Sequence, residues 1–226
     1  RPEIAIVDPL LTHNLPREIT ARSGFDAFVH ALESLTARSY QWVPDRPIYY
    51  QGANPVSRVL SRRALFFLHD SLEQAVFDGD NLTARRKMSL GAHLAGVAFS
   101  NAGLGIVHAL ASTVGGMTEV PHGACLAASL ETGLRYNFPV RAEEYDQIAR
   151  ELGVDLDTSD EPGVSLLNEI DRLRSNIGLP GSFSAVGLTQ DDIEQMVENT
   201  LLQERRVATT PRIPGDDLHE ALQVGF

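Results

Sequence analysis

The chain has 226 residues, 43% apolar and 22% charged, which is length enough for one large domain or two small ones around a substantial core. Its net charge of −11 argues against a nucleic-acid surface, because phosphate contacts need clustered Lys and Arg. It also lacks the uncharged apolar run of about 18 residues that a membrane span needs.

Taken in chain order, "EIAIV" at 3–7 is the one candidate strand, and everything after residue 15 reads as helix or connection. The first residues carry no charged-then-apolar signal pattern and no methionine, so a fragment or processed chain is expected. Pro16 can open a helix in which Phe25, Val29, Leu32 and Leu35 recur at helical spacing. Residues 41–55, "QWVPDRPIYYQGANP", form an irregular connection rich in Pro, Gly and aromatics. A helix from about Pro55 places Val56, Leu60, Leu65 and Leu68 on its inner side. Asn81 is suited to cap "LTARRKMSLGAHLAGVAFS". Further helices are expected from about Leu104, from Pro121, from about Arg141 to Leu152, near 164–177 and from about Gln190 to Gln203. Residues 153–163 form a second loop, and Thr189 with Asp192 resembles a capping box. The fold class is all-α.

Two spacings carry chemistry. Asp26 and His30 lie four residues apart on one predicted helix, so their side chains share a face about 6 Å apart along the axis. His108 and His122 would be about 21 Å apart on one straight helix, too far for a shared ion. Gly115-Gly116 can stop that helix, however, and Pro121 suits the start of the next, so the chain can fold back on itself. One carboxylate and three imidazoles suit Zn²⁺ or Fe²⁺ and disfavour Ca²⁺ and Mg²⁺, which prefer oxygen.

"GFDAFVHALES", "NPVSRVLSRRAL", "DGDNLTARRKMSLGAHLAGVAFSNAGLGIVHALA" and "PHG" stand in one order that resembles the iron-containing alcohol dehydrogenases. The resemblance runs from "PEIAIVDPLL" to about Asn137 and more loosely to the end. It implies the helical C-terminal domain of a dehydroquinate synthase-like/iron-containing alcohol dehydrogenase fold. Residues 1–15 would be the connector from an N-terminal nucleotide-binding α/β domain absent from this chain, and residues 16–226 the helical metal-binding domain. The implied activity is interconversion of an alcohol and an aldehyde or ketone by hydride transfer with NAD or NADP. The implied ion is Fe²⁺ or Zn²⁺, on the matching positions Asp26, His30, His108 and His122. Leu11 and Thr12 match a stretch that lies near the cofactor. Many relatives carry a histidine four residues after the His108 position; here that residue is Ser112, which becomes the candidate proton relay. A homo-oligomer is expected, with the small-molecule substrate and the N-terminal domain as the other partners. Two alternatives stay open: a metal-independent enzyme like the maleylacetate reductases, and a non-catalytic helical domain around a structural zinc.

The remaining features read more simply. Cys125 is the only cysteine, so no internal disulfide can form; it reads as a buried, inert thiol in a reducing compartment, the cytoplasm. His93 reads as a core or pocket histidine, and His69 and His219 as exposed. Phe25, Phe99 and Asn101 could line a substrate cavity or simply pack. Trp42, Tyr49 and Tyr50 suggest packing over helix ends, a lid or a subunit contact. "GLG" at 103–105 lacks the strand before it that a dinucleotide site requires.

Overall fold

The computed structural model describes residues 3–42, 50–157 and 161–226. Residues 43–49 of the 41–55 connection, Tyr49 among them, and residues 158–160 of the 153–163 loop lie outside them. Among the described residues there are helices and no strand, with one isolated bridge between Ser39 and Ala53. Residues 3–7 are not the expected strand. A strand exists only through the ladder bonds of a neighbour, no described segment supplies them, and Ile4 and Ile6 stand 79% and 87% exposed.

Three long helices form the first layer: α1 (Arg17–Thr36), α2 (Pro55–Phe77) and α3 (Leu82–Ala102), each packed on the other two. Local chemistry starts them. The Asn54 side chain accepts from the amides of Val56 and Ser57, while Ser57 accepts from the Asn54 amide, with Pro55 at the first position of α2. Asn81 accepts from Ala84 at the start of α3, as the sequence indicates. The α1 stripe Phe25, Val29, Leu32 and Leu35 is buried throughout.

On α2 the stripe differs from the expected one. Val56 is 70% exposed, and the inner face runs Ser57, Ser61, Ala64, Leu65, Leu68 and Leu72. Small hydroxyl residues fill the first turns because α1 approaches closely there. Ser61 Oγ meets Ser34 Oγ at 2.8 Å, and both also bond to carbonyls of their own helices.

Gly103, at φ +86°, ends α3 in a conformation that disfavours any side chain. The chain then turns by 100° into α4 (Ile106–Met117). The apolar α4 lies in the core, with Ile106, Val107 and Leu110 fully buried. α5 (His122–Glu151) packs on α4, α1 and α6 (Val164–Asn176). The two helices expected from Pro121 and from Arg141 are thus one, running through Pro139. An interior proline removes a helix bond and is usually a break, costing about 3 kcal/mol. Here tertiary bonds hold the far side in place: the Arg141 guanidinium donates to the carbonyls of Thr36 and Ala37 at the end of α1.

The C-terminal part adds α7 (Ile193–Leu201), α8 (Glu204–Val207) and α9 (Leu218–Gln223). The Thr189–Asp192 capping box is present, but it opens a 3₁₀ turn at 190–192 that leads into α7. No single helix among the described residues is long and apolar enough to cross a membrane.

Candidate metal centre

Asp26, His30 and Glu33 form one stripe of α1, at the spacing of one and two turns. The stripe faces the start of α4, which brings in His108, and the start of α5, which brings in His122. His30 Nε2 and His108 Nε2 each lie 3.4 Å from Asp26 Oδ1. The ligand atoms of Asp26, His30 and His108 all fall within 4.8 Å of one another, a span that one ion can bridge. The His122 ring centre is 5.8 Å from that of His108, beside the trio and on its exposed side. Burial is graded: the side chain of His108 is 1% exposed, that of His30 21% and that of Asp26 25%.

Two backbone features make the approach possible. α4 runs on through Gly115 and Gly116 to Met117, so these glycines do not stop it as expected; Pro121 and the start of α5 turn His122 towards α1. Gly123 then touches α1 directly: a Cβ there would sit 2.5 Å from the Arg22 carbonyl oxygen, backbone against backbone. The His30 ring stacks between Phe99 and His108, each at 4.5 Å between ring centres.

The electrostatics suit a cation. Burial would raise the Asp26 carboxyl, but the bond from His108 and the charges of His30, His108 and His122 outweigh it and hold it below the usual carboxylate range. Burial, reinforced by His108, pushes His30 down to about 4. His122 is likewise lowered, first by burial. His108 goes the other way: burial opposes its charge, yet Asp26 and Glu33 together raise it. Asp26, His30 and His122 are thus held in the forms that bind metals, ionised carboxylate and neutral imidazole, while His108 would give up its extra proton to a bound ion. The donor set of one oxygen and three nitrogens therefore fits Fe²⁺ or Zn²⁺.

Glu33 is the residue that sequence reading missed. It is 5% exposed, and its carboxylate meets His108 Nδ1 at 2.6 Å. The signal was an acid in the apolar run "FVHALESL", seven residues after Asp26.

Other expected residues fall as follows. Ser112 lies one turn beyond His108 on α4 and is half-buried. Leu11 is 82% exposed. Thr12 lines a cavity of about 370 Å³ between the N-terminal stretch, α1 and α3, together with Ser23, Ala27, Arg85 and His93. His93 is exposed on α3, at the mouth of that cavity, and is not a core residue. His69 is not free on the surface: its Nε2 meets Glu169 of α6 at 2.7 Å with the side chain 19% exposed. Phe25 belongs to the core, beside Phe28. Asn101 is a structural link, donating to the Val97 carbonyl and accepting at its own carbonyl from the Gln51 amide.

Comparison with known proteins places this arrangement. Residues 20–222 match the Fe-containing alcohol dehydrogenase family, C-terminal. The chain is 31% identical over 243 residues to the mitochondrial hydroxyacid-oxoacid transhydrogenase of Mus musculus, covering 98% of this chain and 52% of that protein. It is 35% identical over 203 residues to the 1,3-propanediol dehydrogenase of Citrobacter freundii, covering 88% of this chain and 49% of that protein. The alcohol dehydrogenase from Oenococcus oeni has the same fold over 97% of this chain and 54% of its own, with a TM-score of 0.85 and 32% identity. The chain spans about half the length of the curated relatives it matches. A buried stripe of α1 facing the starts of α4 and α5, and a match along nearly the whole chain, lead to one conclusion: this chain belongs to the iron-containing alcohol dehydrogenase family and has the fold of its helical C-terminal domain.

Proposed function

We propose that this chain is the metal-holding part of an oxidoreductase that interconverts an alcohol and an aldehyde or ketone, with hydride exchanged with NAD or NADP. The observation that carries the reading is the convergence of Asp26, His30 and His108 donor atoms within 4.8 Å, with the His122 ring beside them. These four residues would hold Fe²⁺ or Zn²⁺. When bound, the ion supplies Lewis acidity that polarises a substrate oxygen and stabilises developing negative charge.

The chain's own residues do the rest. Phe99 packs flat on His30 and restricts its ring. The exposed side of the trio, where His122 stands, gives access to a substrate, which favours a catalytic site over a closed structural zinc. The presence of the whole donor set likewise favours it over the metal-independent alternative. Thr12 and the 370 Å³ cavity beside α1 are suited to border the cofactor, with Leu11 next to them. Ser112, one turn beyond His108, remains the candidate proton relay in place of a histidine. Residues 1–15 act as the connector to a nucleotide-binding domain, and the exposed Ile4, Ile6, Val7, Leu90 and Val97 are apolar surface for it to cover. A single buried cysteine fits a reducing compartment such as the cytoplasm.

The test is elemental analysis of anaerobically purified protein, for the wild type, His108→Ala and His122→Ala. About one Fe or Zn per chain is expected in the wild type, lost in His108→Ala and reduced or lost in His122→Ala. Full metal content in both variants would remove these histidines from the site.

A further inference from the structure

Glu33 lies within the centre yet is not one of the proposed ligands. Its Oε2 is 2.6 Å from His108 Nδ1 and 3.3 Å from the His108 amide, and its Oε1 is 2.8 Å from the Val107 amide. It therefore joins three N–H groups at the start of α4, two of which no helical carbonyl can satisfy. We infer that Glu33 is a positioning residue, which fixes His108 as the Nδ1–H tautomer and so directs its Nε2 lone pair at the ion.

The argument is geometric. A carboxylate oxygen accepts hydrogen bonds and donates none. Were Nδ1 of a neutral His108 unprotonated, two lone pairs would face each other at 2.6 Å in a dry site. The proton must therefore stand on Nδ1, which leaves Nε2 as the free donor, and Nε2 is the atom turned towards Asp26 at 3.4 Å. Ligand histidines in general take their tautomer and ring angle from such an outer partner, whose loss typically costs 10–100-fold in affinity.

The backbone makes room for this contact. A Cβ on Gly105, the residue that opens α4, would lie 2.9 Å from Glu33 Oε1. Any side chain there would press on the carboxylate. The two amides also lock the carboxylate's rotation, so that it can present only acceptors to the ring.

Glu33→Gln separates positioning from packing, because shape and volume are kept. A glutamine has one acceptor oxygen. If that oxygen serves His108, the amide NH₂ confronts the Val107 N–H; if it serves Val107, the NH₂ donates to His108 Nδ1. The second arrangement gives up only the longer, 3.3 Å contact to the His108 amide and keeps the 2.8 Å one to Val107, and it forces the proton onto Nε2, where it blocks the ion.

The inference rests on the metal reading above, and the experiment keeps the two apart. The intact protein is studied as wild type, Glu33→Gln and Gly105→Ala. Zn²⁺ affinity is measured by competition with a chromophoric chelator. The tautomer of His108 is read from imidazole ¹⁵N shifts, with the ring titrated neutral, and folding is checked by circular dichroism. We expect the Nδ1–H form in the wild type, a shift to Nε2–H in Glu33→Gln, and a loss of about 10–100-fold in Zn²⁺ affinity in that folded variant. Gly105→Ala should lose affinity in the same direction. Should Glu33→Gln keep both the tautomer and an affinity within about twofold of wild type, the inference is overturned. A wild type that binds no Zn²⁺ would defeat the metal reading instead, while the tautomer would still decide the role of Glu33.

Discussion

Glu169 takes its properties first from a neighbour on its own helix and then from another helix. The guanidinium of Arg172 beside it, and then His69 of α2, hold its carboxyl below the usual range against the opposing effect of burial. A carboxyl whose value is lowered by folding adds stability that is complete above the ordinary carboxylate range and lost as pH falls through the lowered value. Glu169→Gln should therefore destabilise the protein near neutral pH, by up to about 1 kcal/mol for a partly exposed pair. Urea unfolding from pH 7 down to pH 3 would show that difference shrinking towards the acid end; a constant difference would mean that charge has no part in it. The same scale explains why His69 was misread in sequence and why His93, which lines the cavity, could be read only as core or pocket. Each sits on an amphipathic helix, and what stands opposite it is chosen by packing between distant segments.

Helices meet at this centre only where their surfaces are small. α5 reaches α1 through Gly123, whose missing side chain lets its backbone pass the Arg22 carbonyl. Gly123→Ala should push the start of α5 away from α1, carry His122 with it, and lower stability by about 1–3 kcal/mol through overpacking. Metal titration alongside chemical unfolding would check both effects, and a variant unchanged in each would show that the contact relaxes without consequence. The serines that open the inner face of α2 follow the same logic, since Ser34 and Ser61 let two helices approach where Val56 would hold them apart. Helix starts were legible in sequence because caps are local: Asn54, Asn81 and the Thr189–Asp192 pair act on amides two or three residues away. The continuity of α5 through Pro139 was not, because the groups that hold its far half, the Thr36 and Ala37 carbonyls, lie about a hundred residues back in the chain.

At the scale of the whole molecule, an ion at the centre would tie α1 to the starts of α4 and α5, and these helices carry much of the buried core. Anything that binds the folded state alone stabilises it, by about 2.7 kcal/mol at a hundred times Kd. For a chain of this size that corresponds to roughly 5–10 °C in Tm. Zn²⁺ or Fe²⁺ should raise the melting temperature by about that much and a strong chelator should remove the gain, whereas a Tm indifferent to both would argue against an ion that joins the three helices. The sequence by itself determined the all-helical class, most helix starts and the shared face of Asp26 and His30. Those depend on periodicity, on capping chemistry within one turn and on the i, i+4 spacing of Asp26 and His30. Only the tertiary structure decided that His108 meets α1 and that Glu33 stands behind it, that α5 runs unbroken, and that residues 3–7 pair with no described segment. Each of those turns on a contact between segments far apart in the chain, and such contacts are set by which surfaces can approach once the core has packed.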